Sequence, residues 1–318
     1  MQKLKIDFSQ FLCETITKLV NDRNRVVRAG RAAAVFQPEG GQGEGIAMKD
    51  VKRLAQNLRI YGYLLSTSFR QRMAYRAGVW MEILHGGLFV FLQGSLWTAL
   101  IATGYADASL QEMITYVIIN SLVGYLTAFN ATSVISQRVD DGSIASDLIL
   151  PIRFKWKIFF ENMGGNLFNF LFSGVLSLAV ALLLYRAAGP ASAICLAGFL
   201  LSILFGVLIS YHILYLFAMS AFWVTKPWYI QTLVIALTRL FGGGVIPIWL
   251  YPDWLKAMSD VLPFRFITYE PIQIFLGNIQ GVEILHCLMM QWISLIVLVL
   301  IEKIIWRKAA NRVFVQGG

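Results

Sequence analysis

Long apolar stretches separated by short polar ones make up most of the chain after residue 76. A hydrocarbon layer of roughly 30 Å needs about 20 mainly apolar residues in a helix, and six stretches reach about that length. They run from Val79 to Thr103, Met113 to Ile135, Leu167 to Tyr185, Ala191 to Phe217, Tyr229 to Trp249 and Leu285 to Ile305. The pattern predicts an all-α, polytopic membrane protein with six transmembrane helices.

The fifth apolar stretch ends differently from the others. A glycine triplet and a proline interrupt it, and after Pro252 the apolar residues become sparse and periodic. Glycine and proline break helices, so this region predicts an external re-entrant helical hairpin over residues 252–277, between spans 5 and 6. The candidate pathway or gate residues here are Arg239, Gly242, Gly243, Gly244, Pro247, Pro252 and Pro263.

The region before the first span divides in two. Residues 1–47 form an N-terminal extension that ends in a Gly-rich tract, typical of a flexible linker. From Asp50, a candidate N-cap, apolar residues recur at spacings of three and four as far as Met73, among many Lys and Arg residues. This pattern predicts a basic amphipathic helix in the lipid headgroup plane. The predicted domain therefore covers residues 48–318, and Met48 is an alternative translation start.

Residues 137–151, between the second and third spans, are too polar at their start for a span and too apolar at Leu148 to Leu150 for a plain loop. Gly142 permits a sharp turn, and Pro151 blocks helical continuation. The segment predicts a short cytoplasmic helix that docks against another surface.

Composition and charge add class and orientation. The chain is 57% hydrophobic with a mean hydropathy of +0.63, which is typical of membrane proteins. If spans alternate in direction, 23 of the 27 Lys and Arg residues fall on one side, which predicts that both termini are cytoplasmic. The net charge of +9 favours contact with anionic membrane lipid. Nucleic-acid binding is not expected, because no basic patch is interleaved with stacking aromatic residues.

Motifs for catalysis are missing from the sequence. The glycines at 40–45 lack the Lys-Ser or Lys-Thr of a phosphate loop, so this chain is expected to bind no ATP. Cys13, Cys195 and Cys287 are scattered and predict neither a disulfide framework nor a metal site. The three histidines, His85, His212 and His286, lie on different spans, where each is expected to be a hydrogen-bonded interior or interface residue rather than a ligand.

Arg239 lies about eleven residues into the fifth predicted span, near the bilayer midplane. Charges at this depth are costly and face a cavity or a partner. Two roles stay open: lining a pathway, with Glu82 or Glu161 as a partner, or a structural role in which the carbonyls at Gly242 to Gly244 bind the guanidinium.

The predicted arrangement resembles the ABC-2 type permease family, and within it the small bacterial multidrug or viologen exporters. The resemblance covers Met48 to Gly318 and depends on three segments. These are AYRA at 74–77, SQRVDDGSIASDLILP at 136–151 and GGGVIPIWLYPDWLKAMSDVLPFRFITYEPIQIFLG at 242–277. The family usually has a basic residue before the proline that ends the second segment, whereas this chain has Leu150 there and Arg153 beyond it.

The resemblance implies a permease subunit of an ATP-driven exporter in the bacterial cytoplasmic membrane. A separate ATPase subunit would bind ATP and Mg²⁺, and a second permease chain, identical or paralogous, would complete the pathway. The 137–151 segment would dock on the ATPase, with acidic side chains pairing with basic residues and Leu148 and Ile149 filling an apolar slot. The implied coupling residues are Arg138, Asp140, Asp141, Gly142, Asp147, Leu148, Ile149 and Pro151.

Two alternatives from other functional classes stay open on the residues alone. One is a membrane-embedded enzyme of lipid metabolism, and the other is an energy-independent channel or scaffold. Metal-dependent activity of the purified chain would favour the first, and failure to bind any ATPase would favour the second.

Overall fold

The computed structural model describes residues 44–104, 109–185, 188–223 and 228–313. Within these ranges the secondary structure is helical and contains no strand. The chain divides into two compact units, Met1–Gln56 and Asn57–Gly318, and every side-chain contact described below lies within the second. The predictions for residues 1–43, including Cys13, lie outside the described residues. The predicted domain boundary at residues 47 and 48 stays a prediction.

Twelve α-helices are numbered here in chain order within the described ranges. Their bounds are α1 Glu44–Ala74, α2 Arg76–Ala102, α3 Leu110–Thr127, α4 Ala131–Asp140, α5 Ile144–Leu148, α6 Phe154–Asn169, α7 Val175–Tyr185, α8 Ala193–Ala218, α9 Trp228–Phe241, α10 Asp253–Val261, α11 Tyr269–Leu276 and α12 Val282–Val313. A π-helical turn, Phe170–Gly174, joins α6 to α7, and 3₁₀ turns lie at Met219–Phe222, Ile248–Leu250 and Pro263–Phe266.

Five helical segments among the described residues are long and apolar enough to cross a membrane. They are Ala77–Ala102, Leu110–Asp140, Phe154–Tyr185, Ala193–Phe222 and Val282–Ala309. Each contains most of a predicted span. The second and third extend well past the predicted limits toward the α4–α6 connection, because helix continues there through residues that are too polar for the hydrocarbon layer.

The fifth predicted span, Tyr229 to Trp249, does not form one continuous helix. The helix there, α9, has 14 residues and stops at Phe241, which gives it a length of about 21 Å. Beyond it, Gly243 adopts a φ of +73°, in the left-handed region that glycine tolerates. The glycine triplet thus ends the helix before it reaches a full bilayer thickness, and the expected count of six spans is not reached by length alone.

The first helix begins earlier than the sequence pattern indicated. Helix α1 starts at Glu44 instead of Asp50, so it takes in the end of the tract that was expected to be a linker. Ala47 and Met48 are good helix formers, which accounts for the extension back past Asp50.

Helix α1 packs closely against α6. The Tyr61 and Phe160 rings stack with centroids 4.9 Å apart, and Phe69 meets Phe168 edge to face at 5.7 Å. A Cβ atom on Gly164 would lie only 2.3 Å from the Leu65 carbonyl oxygen. Glycine at position 164 therefore permits the close approach of the two backbones.

Helix α8 is central to the hydrophobic core. Toward its carboxyl end, Tyr211 packs edge to face against Phe159 and Phe129, with ring centroids 4.9 and 5.1 Å apart. Toward its amino end it packs against α11, where Phe199 meets Phe275 at 5.0 Å. Aromatic pairs in such geometry contribute about 0.5–1.5 kcal/mol beyond their area burial.

Residues 242–281, called the fold-back segment below, return along α8. A Cβ atom on Gly206 of α8 would meet the Ile267 carbonyl oxygen at 2.8 Å, so the two backbones touch at mid-helix. The Ala191 amide, just before α8, donates to the Phe275 carbonyl at 3.1 Å. The segment therefore runs along the first half of α8, from Gly206 back to its start, before α12 begins.

Candidate functional site

Residues 137–151 form a compact helical hairpin, called the polar hairpin below. Helix α4 ends at Asp140, and Gly142 turns the chain with a φ of +73°. Helix α5 follows and ends at Leu148, three residues before Pro151. The turn at Gly142 and the end of the helix before Pro151 agree with the sequence pattern, because only glycine adopts this φ without strain.

Four alternating charges form a ring at the base of the polar hairpin. The Arg138 guanidinium on α4 lies 2.5 Å from the Asp147 carboxylate on α5 and 2.6 Å from the Glu161 carboxylate on α6. The Lys157 ammonium on α6 lies 2.7 Å from Asp147 and 3.1 Å from Glu161. The four side chains are between 11% and 21% exposed. Each charge thus has two opposite neighbours, and the ring pins the hairpin to α6.

Two aspartates at the turn of the polar hairpin lie outside this ring. Asp140 and Asp141 are both exposed, and the Ser143 backbone N–H donates to an Asp141 carboxylate oxygen at 2.9 Å. Hydrogen bonds from Ser143 hold the pKa of the Asp141 carboxyl below its usual range. Asp141 therefore stays ionised at neutral pH and presents a negative charge to solvent.

The tip of the polar hairpin is apolar and uncovered. Leu148 is 39% exposed, Ile149 83% and Leu150 41%. A helix of five residues has little stability by itself, and both the ion-pair ring below the tip and the buried Ile144 side chain anchor it to the rest of the protein. A contiguous exposed apolar group on a fixed hairpin is typical of a docking surface.

The predicted coupling residues divide into two sets. Asp140, Asp141, Leu148 and Ile149 face solvent, as a docking role requires. Asp147 was expected to pair with a partner subunit, and the structure corrects that expectation because its carboxylate is already bound by Arg138 and Lys157.

The sequence reasoning also missed two members of the ring, Lys157 and Glu161. Their spacing of four residues on α6 is the signal that could have revealed the pair.

A second buried ionic group lies deeper in the helix bundle and was also missed. The Glu302 carboxylate on α12 accepts from the Lys155 ammonium at 2.8 Å and lies 2.7 Å from Nδ1 of His212 on α8. Nδ1 of His212 in turn lies 3.1 Å from the Lys155 Nζ. These contacts join α6, α8 and α12, and they confirm that His212 is a hydrogen-bonded interior residue.

The carbonyl groups of the glycine triplet are bound by side chains that the sequence did not point to. The Tyr116 hydroxyl donates to the Gly243 carbonyl at 2.7 Å, and the Asn120 amide donates to the Gly244 carbonyl at 2.9 Å. The Thr268 hydroxyl donates to the Gly242 carbonyl at 3.0 Å. Tyr116 and Asn120 of α3 thereby supply hydrogen-bond donors to carbonyl groups that follow α9, since the last carbonyls of a helix lack intrahelical partners.

These contacts exclude the structural role considered for Arg239. Arg239 is exposed, and within the described residues its side chain makes no hydrogen bond or ion pair with the triplet or with Glu82 or Glu161. Glu161 belongs to the ion-pair ring instead. The pathway-lining hypothesis for Arg239 is therefore the one that stays open.

Three of the four prolines of the fold-back segment each begin a helical turn. Pro247 precedes the 3₁₀ turn Ile248–Leu250, Pro252 precedes α10, and Pro263 opens the turn Pro263–Phe266. Proline suits such positions because its ring fixes φ and its missing N–H costs nothing there. The three prolines set the directions in which the segment folds back.

A family model described as ABC-2 family transporter protein matches residues 89–317, which is well over half of the 318 residues. The chain belongs to this family. Comparison with curated proteins gave no significant match.

The ABC-2 match covers the polar hairpin, the ion-pair ring and the fold-back segment, whereas α1 and the start of α2 lie before it. Together with the apolar helices, it identifies the chain as a multi-pass membrane protein and a transport subunit rather than an enzyme. The predicted resemblance to the ABC-2 permeases is thus confirmed.

Proposed function

We propose that this ABC-2 family member is the permease subunit of an ATP-driven exporter in a bacterial cytoplasmic membrane. Two permease chains would enclose the substrate pathway, and a separate ABC ATPase would bind ATP and Mg²⁺ and dock on the polar hairpin. Both termini would lie on the ATPase side, as the distribution of Lys and Arg predicts.

The observation that carries the proposal is the uncovered apolar tip on a hairpin that ion pairs hold in place. Ile149 is 83% exposed, and burying such a side chain in a partner contributes roughly 1.5–3 kcal/mol. Asp140 and Asp141 add negative charge beside the tip, which suits a basic rim on the ATPase. The ring of Arg138, Asp147, Lys157 and Glu161 would then pass movement of the docked tip to α6.

Exchange of one apolar side chain tests the docking. The Ile149→Asp variant should weaken co-purification of the ATPase about 10- to 100-fold, because it replaces a favourable burial by the desolvation of a charge. The Val282→Asp variant is the matched control, since Val282 is 82% exposed at the start of α12, far along the chain from the hairpin. If Ile149→Asp retains the ATPase as well as Val282→Asp does, the docking site lies elsewhere.

The fold-back segment is proposed as a re-entrant hairpin that forms the outer gate. The Gln291 side chain donates to the Phe266 carbonyl at 2.9 Å. Gln291 lies nine residues into α12, which corresponds to a depth of about 14 Å. The turn at Pro263–Phe266 would thus reach the middle of the membrane, and α11 would return from it to the outer surface.

Arg239 is proposed to line the pathway beside this gate. An exposed guanidinium within a bilayer needs water or a partner charge, and a second permease chain or a water-filled path would supply one.

Thiol labelling tests the assignment of Arg239. In a Cys13→Ser background, Arg239→Cys should react with a membrane-impermeant maleimide. Leu233→Cys, on another face of α9 and also exposed, should remain unlabelled in lipid. Absence of labelling at position 239 would remove Arg239 from the pathway.

A further inference from the structure

A cavity of about 850 Å³ with a mixed polar and apolar lining lies between α1, α2, the α3–α4 connection and α6. This volume is in the range of roughly 300–1,000 Å³ that small-molecule sites occupy. The cavity is separate from the apolar tip and from the fold-back segment, and its α1 and α2 walls lie before residue 89, where the family match begins.

The depth of the cavity follows from counting along three spans. A hydrocarbon layer of roughly 30 Å takes about 20 helical residues. These three spans end at Ala102, Leu110 and Tyr185 on one side of the membrane. Counting about 20 residues along each span from those ends leads to Glu82, Asn130 and Gly165, respectively. All three of these residues line the cavity. Three independent helices therefore place it at the edge of the hydrocarbon layer, at the level of the lipid headgroups.

Two of the four charged groups that line the cavity are already paired. Arg138 and Glu161 bind each other at 2.6 Å, so they leave no net charge. Arg72 and Glu82 are the other two, and neither makes an ion pair with a described side chain. The cavity thus presents one available cation and one available anion.

Each of the two available charges lies against a neighbouring helical element. A Cβ atom added to Gly165 of α6 would lie 3.2 Å from Nε of Arg72. The Arg72 guanidinium therefore lies against α6 at this glycine. The Ser173 hydroxyl lies 2.8 Å from the Glu82 backbone carbonyl oxygen and 3.2 Å from its carboxylate, so its single proton is shared between them. Arg72 comes from α1 and Glu82 from α2, on either side of the break at Tyr75. The break therefore brings the two opposite charges to one cavity.

We propose that this cavity binds the headgroup of a phospholipid that carries a phosphate and a primary ammonium group. The Arg72 guanidinium would bind the phosphate, for which its planar donors are suited. The Glu82 carboxylate would accept from the ammonium group. An anionic headgroup without an amine leaves Glu82 unpaired and repelled, and a quaternary amine offers the carboxylate no N–H donor.

The surroundings of the cavity fit a lipid better than a free polar solute. Tyr75, which lines the cavity, is 70% exposed, and Trp80 and Met81 just beyond it are 71% and 66% exposed. Tyrosine and tryptophan are enriched at the level of the headgroups. The outer face of α2 thus offers an apolar surface for acyl chains directly beside the charged site, and this inference does not depend on the ATPase or on the substrate.

Counting bound lipids by native mass spectrometry tests the proposal on the full purified chain. The probes are phosphatidylethanolamine, phosphatidylglycerol and phosphatidylcholine with the same acyl chains. The natural chain should retain phosphatidylethanolamine preferentially. Arg72→Gln should weaken its binding by about tenfold, the effect of losing one charged hydrogen bond, and Arg72→Lys should restore part of it. Glu82→Gln should abolish the preference for phosphatidylethanolamine over phosphatidylglycerol.

The Arg70→Gln variant is the control for nonspecific loss of basic charge, because Arg70 is exposed on the same helix and does not line the cavity. Thermal unfolding of each variant shows whether it is folded. Equal binding by the Arg72→Gln and Arg70→Gln variants would overturn the proposal. So would an unchanged lipid preference in a folded Glu82→Gln variant, or preferential binding of phosphatidylglycerol or phosphatidylcholine by the natural chain.

Discussion

Replacing Asp147 by Asn should release the polar hairpin from α6 without unfolding the bundle. The substitution keeps the size of the side chain and removes its charge, so Arg138 and Lys157 each lose one of two acidic partners. The ring then carries one net positive charge. Among the described residues, only the Arg138–Glu161 ion pair would still join the hairpin to α6, so the hairpin should detach from α6 more often.

The size of the effect follows from the contacts of Asp147. Its carboxylate makes two charge-assisted bonds, at 2.5 Å to Arg138 and 2.7 Å to Lys157, and hydrogen bonds to charged groups contribute about 1.5–3 kcal/mol each. The side chain is 15% exposed, and the Asn oxygen can keep one bond, so a net loss of about 2–3 kcal/mol is expected. Local opening should become about 30 to 150 times more frequent.

Hydrogen exchange measures this opening directly. The amides of Ala145 and residue 147 bond to carbonyls within the hairpin, and both should exchange faster by that factor in the Asp147→Asn variant. The Leu196 amide, bonded to Ser192 at the start of α8, is the internal control and should not change.

A second substitution separates the charge effect from a loss of packing. Adding Lys157→Met to Asp147→Asn returns the ring to neutrality and leaves the Arg138–Glu161 pair intact, so much of the protection should return. If the hairpin amides exchange at the natural rate in the Asp147→Asn variant, the ring does not hold the hairpin and the proposed route of coupling to α6 fails.

Two further predictions concern the turn of the polar hairpin and the packing of α1. Hydrogen bonds from Ser143 depress the pKa of Asp141, so the ionised Asp141 carboxylate stabilises the turn. This stabilisation is complete above the ordinary carboxyl pKa and is lost as the pH falls through the depressed pKa. In the Ser143→Ala variant the turn should begin to lose stability at a higher pH, as measured by hydrogen exchange of the amide at position 143. Identical pH profiles of exchange for the variant and the natural chain would contradict this prediction. Gly164→Ala should destabilise the α1–α6 contact by about 1–3 kcal/mol, because its Cβ would overlap the Leu65 carbonyl oxygen. Gly62→Ala, which has nothing within 4 Å, should be neutral or stabilising by up to about 1 kcal/mol, and equal melting temperatures for the two variants would refute the steric argument.

The helical membrane class and the family were accessible from the sequence because both depend on local patterns. The apolar run from Ala191 to Phe217 has to be a helix of membrane-spanning length, since the hydrocarbon layer sets that length for any chain. The turn at Gly142 is equally local, because a left-handed φ selects glycine. The end of α9 was harder to place, since the glycine triplet marks a break without fixing the helix length before it.

The electrostatic sites were decided only by the tertiary structure. Asp147 looked available in the sequence, yet two cations from α4 and α6 occupy it. Arg239 looked able to bind the carbonyls of the glycine triplet, yet Tyr116 and Asn120 bind two of them from α3.

The sequence by itself determined that this chain enters a membrane as helices and that it is built as an ABC-2 permease, because hydrophobic length and glycine and proline positions act over a few residues. The tertiary structure decided which charges are paired and which remain available. Lys155 and Glu302 meet across 147 residues, and Arg72 and Glu82, on either side of the helix break at Tyr75, line one cavity. Such pairings depend on how the helices pack, since electrostatic contacts act over a few ångströms in space and not along the chain.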